Sequence, residues 1–331
     1  MNTQRLHACA HALIGALGVV CALAVGASEA FAQKYPEKGV RIVTPFGPGG
    51  GTDIFGRLIA QRLTERYGQQ FIVENRPGAG SLLGTEHVAK SPPDGYTLLI
   101  TSASYSFNPG LYSSLKFDPL KDFTPVSLVV RVPHVIVVLP SFPAKNLQEF
   151  VKIARSRPGD VFYASSGPGS AMHLAGALFG IVTKTQLTHV PYKGGAATVT
   201  AVLGGEATTA FNTLETAIGQ IKAGRLRALA VSTRERAPAI PDVPTASEAG
   251  IKDYEAIGWF GMLAPAGTPP AIVEQLSGEL AKIMQSPAMR ERTLQEGATP
   301  VGTTPAEFQR FLQAEIAKWT RVIKQAGIKL D

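Results

Sequence analysis

The sequence predicts an α/β protein with mostly parallel sheets, organised in two domains. Short apolar, β-branched runs alternate with segments of helical periodicity along most of the chain. The chain has 331 residues, a usual length for two domains. Its 34 glycines and 24 prolines follow no collagen-like period, which indicates many turns between short elements.

The predicted strands are β-branched runs that mostly end at a glycine, serine or proline turn. They cover residues 40–46, 71–74, 97–102, 126–139, 161–165, 186–190, 208–212, 226–232 and 257–264. Pro133 interrupts the longest of them. Apolar residues three and four apart predict helices over residues 53–67, 147–155, 171–182 and 196–203. The chain is helical again after Pro270, and Thr304 with Pro305 begins the last long helix.

The pattern of residues 1–32 predicts a signal peptide that is removed on export. Arg5 is the only formal charge before Glu29, and the stretch between them is mainly apolar. Ala30, Phe31 and Ala32 then form a small-x-small cleavage pattern. A retained membrane anchor is the alternative, but it needs about 20 apolar residues and would make the cleavage pattern coincidental.

Cleavage after Ala32 leaves 331 minus 32, or 299, residues and removes both cysteines, Cys9 and Cys21. Cysteine catalysis, thiolate metal sites and disulfides are therefore excluded from the mature chain. The net charge of +7 is not gathered into a basic run, since the longest cluster is residues 225–227. We expect no nucleic-acid partner, and a charge that steers small anions instead.

Three glycine-rich turns each follow a predicted strand and precede a helix. They are residues 46–53, 165–170 and 192–196. Glycine lets the backbone approach a ligand, and the free N–H groups of a helix's first turn favour a bound anion. Three converging turns would cage a carboxylate or phosphate, whereas any single turn also fits ordinary helix capping by Thr52, Asp53 or Ser170.

Two side chains in these turns have alternative roles. Asp53 would repel an anion, so we expect it to cap the helix or hold the loop, with contact to a ligand amine as the alternative. His173 lies three residues after Ser170, where it would orient the loop or touch ligand, or be a half-buried structural histidine.

Known catalytic motifs are absent from the sequence. Thr52 stands where G-x-G-x-x-G needs its last glycine, and no G-x-x-x-x-G-K-[ST], G-x-S-x-G or H-E-x-x-H occurs. The histidines of the mature chain are widely spaced, at His87, His134, His173 and His189. We therefore expect no metal site and no cofactor.

Nine segments in order carry a resemblance that spans nearly the whole mature chain. They are PFGPGGGTD (45–53), VENRPGAG (73–80), PDGYTLL (93–99), NPGLY (108–112), DPLKDFTPV (118–126), YASSGPGS (163–170), HVPYKG (189–194), PDVPT (241–245) and WFGMLAP (259–265). Together they resemble the Bug family, the periplasmic substrate-binding receptors of tripartite tricarboxylate transporter systems.

The resemblance implies a two-lobe, type II-like Venus-flytrap fold that binds ligand between its lobes. Chain crossings near Pro133 and Gly258 would give a discontinuous lobe 1 (33–133 plus 258–331) and a lobe 2 (134–257). It also implies a monomeric periplasmic receptor, not an enzyme. The ligand would be a di- or tricarboxylate, an amino acid or an aromatic acid, and the partners would be membrane transporter subunits.

The expected ligand-binding residues come from both lobes. Phe46 would supply an apolar wall, and the backbone N–H groups of Gly49, Gly50 and Gly51 would hold one carboxylate. The other expected residues are Asp53, Ser102, Ser104, Ser166, Ser170, His173, Tyr192, Lys193, Gly194 and Asn212. The family often has an acidic residue near Asn212. Its absence removes one candidate partner for an amine and favours a plain carboxylate.

Two other functions remain open at this point. A secreted hydrolase would need a nucleophile beside a base, such as Ser170 near His173, although no nucleophile elbow or orienting acid accompanies them. An orphan sensor subunit would bind the same ligand and differ only in its membrane partner.

Overall fold

The structure, a computed structural model, describes residues 35–330. The predicted signal peptide lies outside the described residues. Residues 35–37 contain no helix or strand, and the fold described below is that of residues 38–330. None of the helices in the described range combines enough length and hydropathy to cross a membrane.

Ten strands and ten α-helices alternate along residues 38–330. The strands are β1 (Val40–Thr44), β2 (Phe71–Asn75), β3 (Thr97–Ser102), β4 (Phe123–Val138), β5 (Val161–Ser165), β6 (Leu187–Pro191), β7 (Thr209–Thr213), β8 (Arg227–Val231), β9 (Ile257–Pro265) and β10 (Thr299–Pro300). The helices are α1 (Gly51–Tyr67), α2 (Leu82–Ala89), α3 (Ser104–Leu111), α4 (Leu147–Ser156), α5 (Ala171–Thr183), α6 (Gly195–Leu203), α7 (Leu214–Lys222), α8 (Pro270–Gln285), α9 (Pro287–Gln295) and α10 (Pro305–Ala326).

The strands form one curled sheet in the order β2-β1-β3-β9-β4-β7-β5-β6, and β8 and β10 also pair with β4. Strand β4 changes partners along its length. Its residues up to Pro133 pair with β9, and those from His134 onward pair with β7 and β8. We call the part from β2 to Pro133 the first half-sheet and the part from His134 to β6 the second half-sheet.

The prediction of mostly parallel sheets is correct only at the outer strands. β1 is parallel to β2 and β3, and β5 is parallel to β6 and β7. At the centre, β4 is antiparallel to β7, β8 and β9, and β3 is antiparallel to β9. Parallel neighbours require a helical crossover. The long strand β4 passes through both half-sheets and is antiparallel to its neighbours in each.

The predicted elements agree with the observed ones to within two residues, except that β4 begins three residues earlier. Pro133 remains inside β4, at the point where the strand changes partners. The helices α2, α3 and α7 were not predicted, because each is short and has a glycine inside it, which lowers helix propensity. Tertiary packing supports α3, whose Phe107 ring lies 5.0 Å from the ring of Trp319 in α10.

The last helix, α10, begins as predicted and connects the two half-sheets. Thr304 accepts a hydrogen bond from the Glu307 backbone N–H, and the Glu307 carboxylate accepts from the Thr304 N–H in return. α10 packs against α3 beside the first half-sheet and α5 beside the second. Its Glu315 is buried and accepts a 2.8 Å hydrogen bond from the Trp319 indole.

Candidate functional site

A cavity of about 360 Å³ lies where the two half-sheets meet. Its lining comes from the ends of β1, β3 and β7, from the starts of α1 and α5, and from the partner strands β4 and β9. Six of the predicted ligand-binding residues line it, namely Phe46, Gly50, Gly51, Ser102, Ser104 and Ser170. The volume is in the lower part of the range for small-molecule sites.

The first glycine turn presents unused backbone donors to this cavity. Helix α1 begins at Gly51, and the backbone N–H groups of Gly50 and Gly51 have no hydrogen-bond partner within residues 35–330. Donors of this kind, at the positive end of a helix, favour an anion. Gly49 corrects one expectation, because its N–H donates to the Asp53 carboxylate at 3.0 Å and is not available to a ligand.

Asp53 stabilises the first glycine turn through hydrogen bonds from inside the protein. It is only 4% exposed, and besides the Gly49 N–H it accepts hydrogen bonds from Arg57 and from the Asn75 amide, at 2.9 Å for the latter. Asn75 in turn donates to the carbonyl of Phe46. Asp53 does not line the cavity. The hydrogen bond from Arg57, followed by those from Gly49 and Asn75, outweighs burial and lowers the pKa of Asp53 to about 2.

This depressed pKa predicts that Asp53 stabilises the fold above about pH 4. Because the folded value lies near 2 and the unfolded value near 3.8, the stabilisation of about 2 kcal/mol is lost as pH falls between them. The Asp53→Asn variant should be less stable than wild type at neutral pH, and the difference should shrink toward pH 2. Denaturant unfolding at a series of pH values measures it. A difference independent of pH would contradict the assignment.

The second glycine turn supplies Ser170, which caps α5. The Ser170 hydroxyl accepts a 3.2 Å hydrogen bond from the His173 backbone N–H. The His173 ring nitrogen Nδ1 accepts a 3.0 Å hydrogen bond from the Gly169 N–H, and the ring stacks on His189 with centroids 3.8 Å apart. Nδ1 is therefore engaged by the loop instead of activating the Ser170 hydroxyl. His173 does not line the cavity.

The stacked pair carries no charge that could attract an anion at neutral pH. Burial, and then the nearby His189, lower the pKa of His173 to about 4. Burial also lowers the pKa of His189, whose Nε2 shares a hydrogen bond with the Ser165 hydroxyl. Both rings act as internal supports of the second turn.

The third glycine turn does not reach the cavity, so two turns converge there and not three. Lys193 and Gly194 are exposed, and the Tyr192 hydroxyl donates to Glu206 at 3.2 Å. The physical reason is the strand order. β6 is at the edge of the second half-sheet, and β7 lies between β5 and β4. The turn that follows β7 therefore takes the place next to the cavity.

Two further predicted residues do not line the cavity either. Asn212 is fully buried, and its amide donates to the hydroxyls of Thr198 and Thr216, at 2.7 and 3.1 Å. It therefore does not face the cleft. Ser166 is half-buried in the second turn and lies outside the lining.

The structure adds lining residues that sequence reasoning missed. They are Thr52, Ala103, Val132, Ala171, Thr213, Glu215, Gly258, Trp259 and Phe260. Phe260 packs over the first turn so closely that a Cβ at Gly51 would lie 2.4 Å from its ring. Trp259 and Phe260 could have been found from the sequence, because they directly follow Gly258, where the second chain crossing between the lobes was predicted. Thr213 and Glu215 carried no local signal beyond following a predicted strand.

Among residues 35–330, Glu215 is the only ionisable side chain that lines this cavity. The residue is exposed to solvent and is part of the cavity lining. The protein packed around it nevertheless raises the pKa of its carboxyl, because burial penalises the charged form more than the Thr213 hydroxyl and a backbone N–H favour it. No lysine, arginine or histidine of the described part of the chain lines the cavity. An anion here would be held by backbone and hydroxyl donors.

A larger cavity of about 650 Å³ lies beside α5 and α10. Its lining includes Arg234, Lys252, Lys318 and Arg321, but none of the glycine turns. Two of these cations already pair with carboxylates, Arg234 with Glu255 and Lys318 with Glu315. We assign the site to the smaller cavity, because its unused helix N–H groups are the feature that anion binding needs. In the part of the chain that the structure describes, no group of histidine and carboxylate side chains could hold a metal ion.

Solved structures share this fold over most of their length. The structure of Rhodopseudomonas palustris Rpa4515 with adipate is 38% identical, covers 89% of this chain and 100% of that one, and has a TM-score of 0.78. The structure of MatC from the same species with bound malate is 31% identical, covers 87% and 100%, and has a TM-score of 0.73. The fold and the cleft therefore define a two-lobe α/β solute-binding protein.

The family follows from the sequence comparison. Residues 55–328 match the model of the tripartite tricarboxylate transporter family receptor. Protein BugT of Bordetella pertussis is 37% identical over 320 residues, which are 96% of this chain and 98% of that protein. The chain belongs to the tripartite tricarboxylate transporter receptor family. The predicted Bug resemblance is confirmed, and the protein is a periplasmic binding receptor and not an enzyme.

Proposed function

We propose that this receptor captures a small carboxylated organic anion in the 360 Å³ cavity and presents it to the membrane subunits of a tripartite transporter. The observation that carries the proposal is the pair of unpartnered N–H groups of Gly50 and Gly51 at the start of α1, which open into a cavity without a basic side chain. The hydroxyls of Ser102, Ser104 and Ser170 are the other polar groups from the expected set, and waters can bridge them to the ligand.

The ligand class is consistent with what related structures hold. The two Rhodopseudomonas palustris proteins were solved with adipate and malate, both dicarboxylates. Amino acids and aromatic acids are the other members of the proposed class. Phe46 and Phe260, which line the cavity and are partly exposed, supply the apolar walls that the carbon skeleton of such a ligand needs.

The proposal includes a division into two lobes that close on the ligand. We place lobe 1 at residues 33–133 plus 258–331 and lobe 2 at 134–257. The change of partners in β4, from Ile257 opposite Pro133 to Thr213 opposite His134, supports this division. We further propose that the receptor is exported, cleaved after Ala32, and works as a monomer.

A thermal-shift screen tests the ligand class. Dicarboxylates, tricarboxylates, amino acids and aromatic acids are added to the mature protein at neutral pH. A ligand at 100 times its dissociation constant stabilises by about 2.7 kcal/mol, which raises the midpoint of a chain this size by roughly 2–6 °C. We expect at least one carboxylate to give such a shift.

The corresponding alcohols and amides, which lack the carboxylate, are the matched controls and should give no shift. If no carboxylate raises the midpoint while a neutral analogue does, the proposed ligand class is wrong. Titration calorimetry on the positive compounds then provides the dissociation constant and the stoichiometry.

A further inference from the structure

We propose that Glu215 makes the cleft prefer a zwitterionic ligand, one that carries a cationic nitrogen as well as the carboxylate. This inference rests on the proposed function and narrows its ligand class. It also reverses an expectation drawn from the sequence, where Asn212 in place of the family's acidic residue favoured a ligand without an amine. The structure places another acidic residue, Glu215, in the cavity lining, three residues after Asn212.

The electrostatics of the lining carry the inference. Glu215 is exposed to solvent in the cavity lining and forms no ion pair within residues 35–330. Its hydrogen-bond partners are the Thr213 hydroxyl and a backbone N–H, and the charge that acts on it, that of Glu296, is itself negative and paired with Arg292. The carboxylate of Glu215 is thus without a cation in a site that has no basic side chain.

Such a carboxylate distinguishes between ligands of different charge. A second carboxylate on the ligand would be repelled by Glu215, and no basic residue of the lining would compensate. A cationic nitrogen would be attracted, and its presence would restore the stabilisation that burial removes from the ionised acid. The partly exposed aromatic side chains of Phe46 and Phe260 in the same lining are also compatible with a cationic group.

The alternative role of Glu215 is local. It lies in the first turn of α7, where an acidic side chain stabilises the helix through its dipole. That role predicts an effect on stability and none on ligand choice. A protonated Glu215 that donates to a second ligand carboxylate is another alternative, and it predicts a preference for dicarboxylates.

The test uses ligands that differ only at the far end of the chain. For each chain length from four to eight carbons, the linear ω-amino acid, the dicarboxylate and the unsubstituted monocarboxylate are titrated by calorimetry into wild type and into Glu215→Gln. In wild type we expect the ω-amino acid of the best-fitting length to bind about 10- to 100-fold more tightly than the dicarboxylate and the monocarboxylate of the same length. In Glu215→Gln this preference over the monocarboxylate should disappear, while the monocarboxylate still binds.

Glu149→Gln is the matched control, since Glu149 is an acid in the first turn of α4, outside the cavity lining. It should leave all ligand preferences unchanged. An unaltered preference in Glu215→Gln, or a dicarboxylate that binds best in both proteins, overturns the inference. If none of the three ligand types binds either protein at any length and the carboxylate screen is also negative, the proposed function fails and not the role of Glu215 alone.

Discussion

Replacement of Gly50 by leucine is expected to weaken carboxylate binding by about 100-fold or more while the unliganded protein stays as stable as wild type. Gly50 has φ −82° and ψ 167°, an extended conformation that any residue adopts. A Cβ at this position meets only the Gly47 carbonyl oxygen, at 4.0 Å. A leucine side chain would therefore occupy ligand space without disturbing the fold. Titration calorimetry and the melting midpoint measure the two effects.

Two other glycines make this prediction specific. Gly278, on the exposed face of α8, also has open space around a Cβ, so Gly278→Leu should change neither binding nor fold. Gly51→Ala should reduce stability as well as binding, because its Cβ would lie 2.4 Å from the Phe260 ring. Wild-type affinity in Gly50→Leu would show that the first turn is only a helix cap and that the ligand binds elsewhere.

Asp53→Ala should lower both stability and affinity. The substitution removes the acceptor for the Gly49 N–H, Arg57 and Asn75, which together fix the loop that carries Phe46 and Gly50. Hydrogen bonds to a buried charged group contribute about 1.5–3 kcal/mol, so the melting midpoint should fall by roughly 2–5 °C. Affinity for every carboxylate should fall about tenfold or more, because the loop must be ordered again on binding.

Asp118→Ala is the control for this effect. Asp118 likewise accepts backbone hydrogen bonds, from Leu120 and Lys121, and lies outside the cavity lining. Its loss should reduce stability and leave affinity unchanged. If Asp53→Ala weakens only ligands that carry an amine, Asp53 contacts the ligand directly and the supporting role is wrong.

Much of the fold could be read from local pattern. The strands other than β10 and the long helices have strong periodicity or β-branched runs, and their bounds agree with the structure to within two residues except at the start of β4. The first two glycine turns also have a local cause, since a strand, a glycine-rich turn and a helix start are consecutive in the chain. Helices α2, α3 and α7 escaped prediction because packing against other elements, rather than their own short sequences, supports them.

The residues of the candidate site also fall into those that local sequence suggested and those whose place depends on the tertiary structure. Phe46, Gly50, Gly51, Ser102, Ser104 and Ser170 follow their strands directly, so the position of each strand end was enough to suggest them. Lys193 and Gly194 have the same local signature, yet β6 lies at the sheet edge and its turn is remote from the cavity.

The sequence by itself determined the class of fold, the family, and three similar glycine-rich turns, each between a strand and a helix. The tertiary structure alone decided which of the similar turns meet. Strand order is set by pairing between residues far apart in the chain, and it places β7 beside β4. That placement brings Glu215, and not Lys193, to the lining of the cavity, so the proposed anion site has one acidic side chain beside the backbone N–H groups of Gly50 and Gly51.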